Sequence, residues 1–170
     1  MDFKEIIRTI PDFPEKGIMF RDITTVLQSG EALHGAVDTI CDHLKAVDFD
    51  SVIGPESRGF IFGTPVAYKL QKGFIPARKA GKLPYKTLAK TYDLEYGSAT
   101  IEIHEDAIIK GRKVVIVDDL LATGGTCKAL CELIEDCGAE VAAIVFFIEL
   151  EELKGRDLLK GYNVSSVVKY

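Results

Sequence analysis

Val114-Val115-Ile116-Val117-Asp118-Asp119-Leu120-Leu121-Ala122-Thr123-Gly124-Gly125-Thr126 reads as a buried strand, two adjacent acids, a small glycine-bearing loop and the start of a helix. Four β-branched residues in a row, with no polar alternation, suit a strand covered on both faces, as in a parallel sheet. Beyond the carboxyl end of such a strand lies the place where open α/β sheets bind ligands. Glycines let backbone N–H groups approach an anion, the two threonines add hydroxyl donors, and the helix N-terminus adds positive potential. This is a phosphate cradle. Two neighbouring carboxylates repel a phosphate but suit hydroxyl groups, or a divalent cation held through its waters. A phosphate beside a diol is a ribose 5-phosphate.

The flanking segments agree. A helix is expected from about Thr126 to Cys137, with Leu130, Leu133, Ile134 and Cys137 on its core face, followed by a C′ glycine, Gly138. Val141 to Ile148 is a wholly apolar strand. Upstream, helical spacing spans about 31 to 46, Ser51 to Ile53 is a short strand, and Phe74 to Pro76 is another. Arg58 to Leu70 looks helical, with Pro65 implying a kink or a late start. Strand and helix therefore alternate. The expected class is α/β, an open, mainly parallel twisted sheet flanked by helices. Ser98 to His104 alternates like a strand, whereas 79–93 is polar and shows no clear period. At the N-terminus a short helix carries Phe3, Ile6, Ile7 and Ile10, and Pro11 to Asp22 is expected to be irregular.

The chain has 170 residues, a formal charge of −5, 47% hydrophobic and 28% charged residues. One domain with a real core is expected at this length. The acidic balance argues against a nucleic-acid or anionic-membrane binder. No targeting segment or membrane-length apolar run is visible, and Cys41, Cys127, Cys131 and Cys137 form no CxxC pair. A cytoplasmic protein with reduced thiols is the expectation. Rival motifs are absent: Gly124-Gly125-Thr126 is followed by Cys127 and lacks the lysine of a P-loop, there is no GxGxxG, and Pro55 replaces the first glycine of a GxSxG elbow.

The thirteen-residue string resembles the phosphoribosyl-pyrophosphate-binding motif of type I phosphoribosyltransferases. Other segments resemble the adenine phosphoribosyltransferase family in particular: Pro11-Asp12-Phe13-Pro14, Gly17 to Ile23, Glu56-Ser57-Arg58-Gly59-Phe60, Gly81 to Pro84, Leu94-Glu95-Tyr96-Gly97 and Leu153-Lys154-Gly155-Arg156. The series runs in order along nearly the whole chain. It implies the type I phosphoribosyltransferase fold over 1–170, with residues about 1 to 30 forming a small N-terminal hood over the base. It also implies a purine-salvage reaction, in which phosphoribosyl pyrophosphate and adenine give AMP and pyrophosphate.

By that resemblance Ala122, Thr123, Gly124, Gly125 and Thr126 hold the 5-phosphate, and Asp118 and Asp119 take the ribose hydroxyls. Ser57, Arg58, Arg78, Lys79 and Lys82 hold pyrophosphate. Met19, Phe20, Arg21 and Leu120 hold adenine, with Phe20 and Leu120 sandwiching the ring and the backbone of Met19 and Arg21 reading its edge. Glu95 is the general acid, and Tyr96 closes over the reacting centre. Mg²⁺ is expected on substrate oxygens, with few or no direct protein ligands, and a homodimer is expected with the Arg58 loop near the subunit contact. Arg78, Lys79, Lys82, Lys86 and Lys90 together suggest a basic lid. Two positions depart from the family's usual pattern: Glu56, where Asp is commoner, and Ala80, where some members carry arginine. Two other readings stay open at this stage: a related enzyme for hypoxanthine, guanine or xanthine, and a phosphoribosyl-pyrophosphate sensor without turnover.

Overall fold

The computed structural model describes residues 1–93 and 97–170. Its centre is a seven-stranded sheet in the order β5-β6-β4-β3-β7-β8-β9. The strands are β3 (Ser51–Pro55), β4 (Gly73–Lys79), β5 (Thr87–Asp93), β6 (Ser98–His104), β7 (Lys113–Leu121), β8 (Glu140–Glu149) and β9 (Val164–Lys169). From β4 through β3, β7 and β8 to β9 all pairings are parallel, while β6 runs antiparallel to both β4 and β5. The mainly parallel α/β class is therefore as expected.

The apolar run of β7 divides by parity. Val115 and Val117 enter one core with Val52, Val145 and Phe147, whereas Val114 and Ile116 enter a second core with Ile53, Ile144 and Phe146. Successive side chains of a strand point to opposite faces, so a continuous apolar run needs a cover on each face. Helices α1 (Phe3–Ile6), α2 (Thr24–Gln28), α3 (Gly30–Leu44) and α4 (Arg58–Lys69) supply buried residues to the first core, and α5 (Gly125–Asp136) to the second.

The structure corrects four expectations. Pro11 to Asp22 is not irregular throughout: β1 (Arg8–Pro11) and β2 (Met19–Asp22) form an antiparallel hairpin, with Ile10 opposite Phe20. Ile10 thus lies on a strand rather than on the first helix. The prolines are accommodated because Pro11 ends its strand and Pro14 lies in the connection, where no ladder donor is required. In 79–93 the second half is β5, paired along its whole length with β6. Its side chains are mostly exposed, so no hydrophobic period marks it. β9 was not expected at all, since Val164-Ser165-Ser166-Val167-Val168-Lys169 is only half buried at the sheet edge. Finally, α4 begins at Arg58 and carries Pro65 within it, so there is no late start.

Candidate active site

A cavity of about 620 Å³ opens beyond the carboxyl ends of β3 and β7. It is lined by Ser57, Arg58, Lys79, Lys82, Asp118, Asp119, Leu120 and all of Ala122 to Thr126, so most residues expected at the site converge. Among the described residues Pro55, Glu56, Asp93, Leu121, Cys127 and Phe146 also line it.

Two helix N-termini reach this cavity. α5 starts after Gly124, which sits at φ 87° and offers no side-chain cap. α4 starts after Ser57, whose hydroxyl likewise makes no capping bond, and the Glu56–Ser57 peptide is cis. Neither helix carries an acid in its first turn. The leading N–H groups of a helix have no intrahelical acceptor, and together with the helix dipole they favour an anion. The cavity therefore has two anion seats.

Between them stand the two acids. Arg58 Nε lies 2.7 Å from Asp119 Oδ2, and the Asp119 N–H donates to Asp118 Oδ1 at 2.8 Å. Burial, and next the charge of Asp119, push the Asp118 carboxyl well above the usual carboxylate range. Burial raises Asp119 too, with the Arg58 guanidinium opposing it. Close approach of α4 to this pair requires Gly59, since a Cβ there would sit 2.7 Å from Pro55 Cδ and 2.9 Å from Asp118 Oδ1.

The basic residues fall into two groups. Arg78 Nε and Lys82 Nζ hold the Glu56 carboxylate at 2.6 and 2.8 Å, and Lys79 ends β4 on the cavity wall. Burial alone would raise Glu56, but the hydrogen bonds from Lys82 and Arg78 outweigh it and its pKa is lowered. Glu56 thus holds Arg78 and Lys82 beside the α4 seat. Lys86 and Lys90 do not line the cavity. Lys86 faces Glu105, and Lys90 lies 3.2 Å from both Glu132 and Asp136 of α5. The basic segment expected as one lid is split in this way because strand pairing in β5 turns Lys90 and Tyr92 onto α5.

Tyr92 is a contact that sequence reading missed. Thr126 Oγ1 donates to Tyr92 Oη at 2.9 Å, which ties β5 to the start of α5. Also missed was the support under the glycine loop. A Cβ on Gly155 would run into Ala122 O and lie 2.8 Å from Leu121 Cδ1, and one on Gly124 would lie 2.6 Å from Gly155 O. Arg156 anchors that turn, donating Nε and Nη2 to the buried Glu149 carboxylate at 2.6 and 2.7 Å. The only sequence signal for this brace was the Leu153 to Arg156 string, to which no role had been attached.

Met19, Phe20 and Arg21 lie on β2 and do not line this cavity. Phe20 packs edge-on to Phe13, with ring centroids 5.1 Å apart. The hairpin is secured by Asp22, which accepts from Arg8 Nε and Nη2 at 3.0 and 2.6 Å and from the Thr24 N–H at 2.9 Å. Glu95 and Tyr96 lie outside the described residues. Among the described residues no three acidic, His or Cys side chains converge as a metal cage, and no helix is long and apolar enough to cross a membrane.

A parallel sheet with a carboxylate pair between two open helix N-termini, at the carboxyl ends of its strands, defines an α/β protein built for a phosphorylated sugar. The family described as "Phosphoribosyl transferase domain" matches residues 25–168. A protein of Lachnoclostridium phytofermentans named adenine phosphoribosyltransferase is 58% identical over 167 residues, covering 98% of this chain and 96% of that one. The crystal structure of adenine phosphoribosyltransferase from Thermoanaerobacter pseudethanolicus superposes with a TM-score of 0.96 at 50% identity, covering 99% of this chain and 98% of that one. The Saccharomyces cerevisiae enzyme, crystallised with an imino-altritol bisphosphate and adenine, gives a TM-score of 0.93 at 40% identity, covering 97% and 96%. The chain belongs to the adenine phosphoribosyltransferases, a family of pentosyltransferase enzymes.

Proposed function

We propose that this chain, acting as one domain over 1–170, transfers the phosphoribosyl group of 5-phosphoribosyl 1-pyrophosphate to adenine. The products are AMP and pyrophosphate, as in purine salvage. The observation that carries the reading is the pair of uncapped helix N-termini, at Ser57 and Gly124, flanking Asp118 and Asp119 in one cavity. Phosphoribosyl pyrophosphate has two anionic groups separated by a ribose diol, and this arrangement matches it group for group.

In this reading Ala122 to Thr126 seat the 5-phosphate through backbone N–H groups and hydroxyls. Asp118 and Asp119 accept the ribose hydroxyls, and their negative charge favours the oxocarbenium-like sugar that forms as the glycosidic bond exchanges. Arg58 holds Asp119 in position and, with Ser57, Lys79 and the Glu56-held Arg78 and Lys82, receives the leaving pyrophosphate. Residues about 1 to 30 form the hood. Phe20 and Leu120 take the faces of the adenine ring, and the backbone of Met19 and Arg21 reads its N1 and 6-amino edge. A 6-oxo purine reverses that donor and acceptor pattern, which is the basis for rejecting it. Glu95 protonates the purine N7 side as the new bond forms, and Tyr96 closes over the centre.

Asp118 and Asp119 offer acidic oxygens to a cation at the ribose, and Asp119 is already paired with Arg58. That donor set suits Mg²⁺ held mainly by oxygens of the substrate, where it would neutralise the pyrophosphate charge. A cytoplasmic homodimer, with the Arg58 loop near the subunit contact, completes the proposal.

The test is a competition. Purified protein, Mg²⁺ and phosphoribosyl pyrophosphate are mixed with equal amounts of adenine, hypoxanthine, guanine, xanthine and uracil, and the nucleotides are separated. AMP alone is expected. Another nucleotide would overturn the hood assignment, and no nucleotide from folded protein would leave a binding-only sensor.

A further inference from the structure

We propose that Tyr170 is a positioning residue for base recognition, holding the β2 strand of the hood through its stack with Arg21. The proposal rests on the reading that Met19 to Arg21 face the adenine. Neighbouring residues of a strand point to opposite sides, so Phe20 and Arg21 diverge. Phe20 packs on Phe13, whereas the Arg21 guanidinium carbon lies 3.9 Å from the centroid of the Tyr170 ring. That separation is well inside the range of a cation–π contact, and the planar guanidinium is the group best suited to stack on a ring.

Both ends of the stack are held. Arg21 Nη1 donates to Thr9 Oγ1 at 2.5 Å, across the hairpin from β1. The Tyr170 N–H donates to Glu149 O at 2.9 Å, and its carbonyl accepts from the Glu151 N–H at 2.8 Å. The ring is therefore fixed to the end of β8, the same segment whose Glu149 carboxylate anchors the brace under the phosphate loop. The Asp22 contacts, to Arg8 and Thr24, stay within the hairpin and the start of α2, whereas the stack ties β2 to the end of β8.

The polar atoms of this contact are informative. Tyr170 Oη and Arg21 Nε are both buried and have no hydrogen-bond partner among the described residues. The tyrosine thus works through its ring rather than its hydroxyl, and the Arg21 side chain is committed to the stack. What Arg21 offers to a purine is its backbone. A shift of the guanidinium would move that backbone, and base affinity would follow.

The experiment measures KM for adenine, KM for phosphoribosyl pyrophosphate, kcat and Tm in the full chain for Tyr170→Ala, Tyr170→Phe, Arg21→Ala, the double Arg21→Ala/Tyr170→Ala and Phe20→Ala. Tyr170→Ala is expected to raise the adenine KM roughly fivefold, the worth of one partly buried cation–π contact, with the phosphoribosyl pyrophosphate KM changed by less than about twofold. Tyr170→Phe, which keeps the ring and loses only an unpaired hydroxyl, is expected to restore the adenine KM. Arg21→Ala also loses the Thr9 bond and Tyr170→Ala also loses the Lys4 ammonium, 5.3 Å from the ring centroid, so the double variant is expected to be worse than either single one but to fall short of the product of their two effects, the shortfall being the shared stack. If Tyr170→Ala folds poorly, Tyr170→Leu keeps the apolar bulk without the π face and carries the same expectation. An unchanged adenine KM in Tyr170→Ala or Tyr170→Leu, or an equal rise in both KM values, would overturn the proposal. Phe20→Ala separates the two ideas. A raised adenine KM there beside an unchanged one in Tyr170→Ala leaves the hood reading intact and removes Tyr170. An unchanged adenine KM in Phe20→Ala removes the hood reading itself, and the proposal with it.

Discussion

Gly155→Ala places a single methyl group where the loop from Ala122 to Thr126 meets its support. Gly155 does not adopt a positive φ, so alanine meets no backbone penalty there, and the perturbation is purely one of contact. The added Cβ would lie 2.8 Å from Leu121 Cδ1 and closer still to Ala122 O, against an ordinary contact of 3.4 Å or more. The Ala122 carbonyl, a backbone atom nearer to the new Cβ than the Leu121 methyl, must move by more than 0.6 Å, the difference of 3.4 and 2.8. The turn is not free to give way, because Arg156 also donates Nη1 to Val164 O at 2.9 Å and is held by Glu149 on its other nitrogens. Leu121 is tied as well, its carbonyl accepting from the Leu150 N–H at 3.0 Å. The displacement is therefore passed to Ala122 to Gly124, the proposed seat of the 5-phosphate. Overpacking of this kind costs roughly 1–3 kcal/mol. For a domain of this size that is a Tm loss of about 2–12 °C. A cradle displaced by a large fraction of an ångström is expected to raise the KM for phosphoribosyl pyrophosphate about tenfold or more, since a 1 Å misplacement can cost ~100-fold. Adenine affinity, read at saturating phosphoribosyl pyrophosphate, serves as the internal control and should not change. Steady-state kinetics with a thermal melt decide it. A lowered Tm with an unchanged KM for phosphoribosyl pyrophosphate would mean that the turn absorbs the strain, and the brace would have no part in shaping the site.

Three further outcomes are expected. Glu95→Ala should lower kcat by roughly 100-fold or more while calorimetry shows nearly unchanged binding of phosphoribosyl pyrophosphate, and unchanged turnover would remove the acid role. Asp118→Asn should bind ribose more weakly yet melt at a higher temperature at neutral pH. The raised pKa of Asp118 means that its contribution to stability is present below the unfolded value near 3.8 and is lost as pH rises through the folded value, a loss that asparagine escapes. A lower Tm in Asp118→Asn at pH 7 would refute this. Glu149 behaves oppositely. Burial alone would raise it, but Arg156 and Ser166 lower it overall, so its contribution is present above about 4.5 and disappears on acidification. Glu149→Gln should cost roughly 2 kcal/mol at pH 7 and flatten the acid side of a Tm–pH profile, and an unchanged profile would show that the pair contributes nothing.

The fold class and the run of strand, acid pair, glycine loop and helix start were legible in sequence because their causes are local. Val114 to Val117 must be buried on both faces, Asp118 and Asp119 must follow at the carboxyl end, and Gly124 and Gly125 must open the next helix, all within one unbroken stretch. The hairpin of β1 and β2 was missed because proline punctuation marks an interruption without showing which residues pair across it. β5 and β9 were missed because exposed or edge strands leave no hydrophobic period. The basic segment illustrates the limit at single residues: Arg78 and Lys82 meet Glu56 at the cavity, while Lys90, a few residues on, is drawn to Glu132 and Asp136 on α5. Composition gives those lysines one identity, and strand pairing gives them two. What could be read along the chain was a mainly parallel α/β sheet and, at the end of one strand, an acid pair followed by a glycine loop opening a helix. What holds that loop and the N-terminal hairpin in place is visible only in the folded chain. Gly155 under Ala122, Arg156 on Glu149 and Tyr170 on Arg21 join residues far apart in the chain, and such contacts arise from the packing of whole elements rather than from any local pattern.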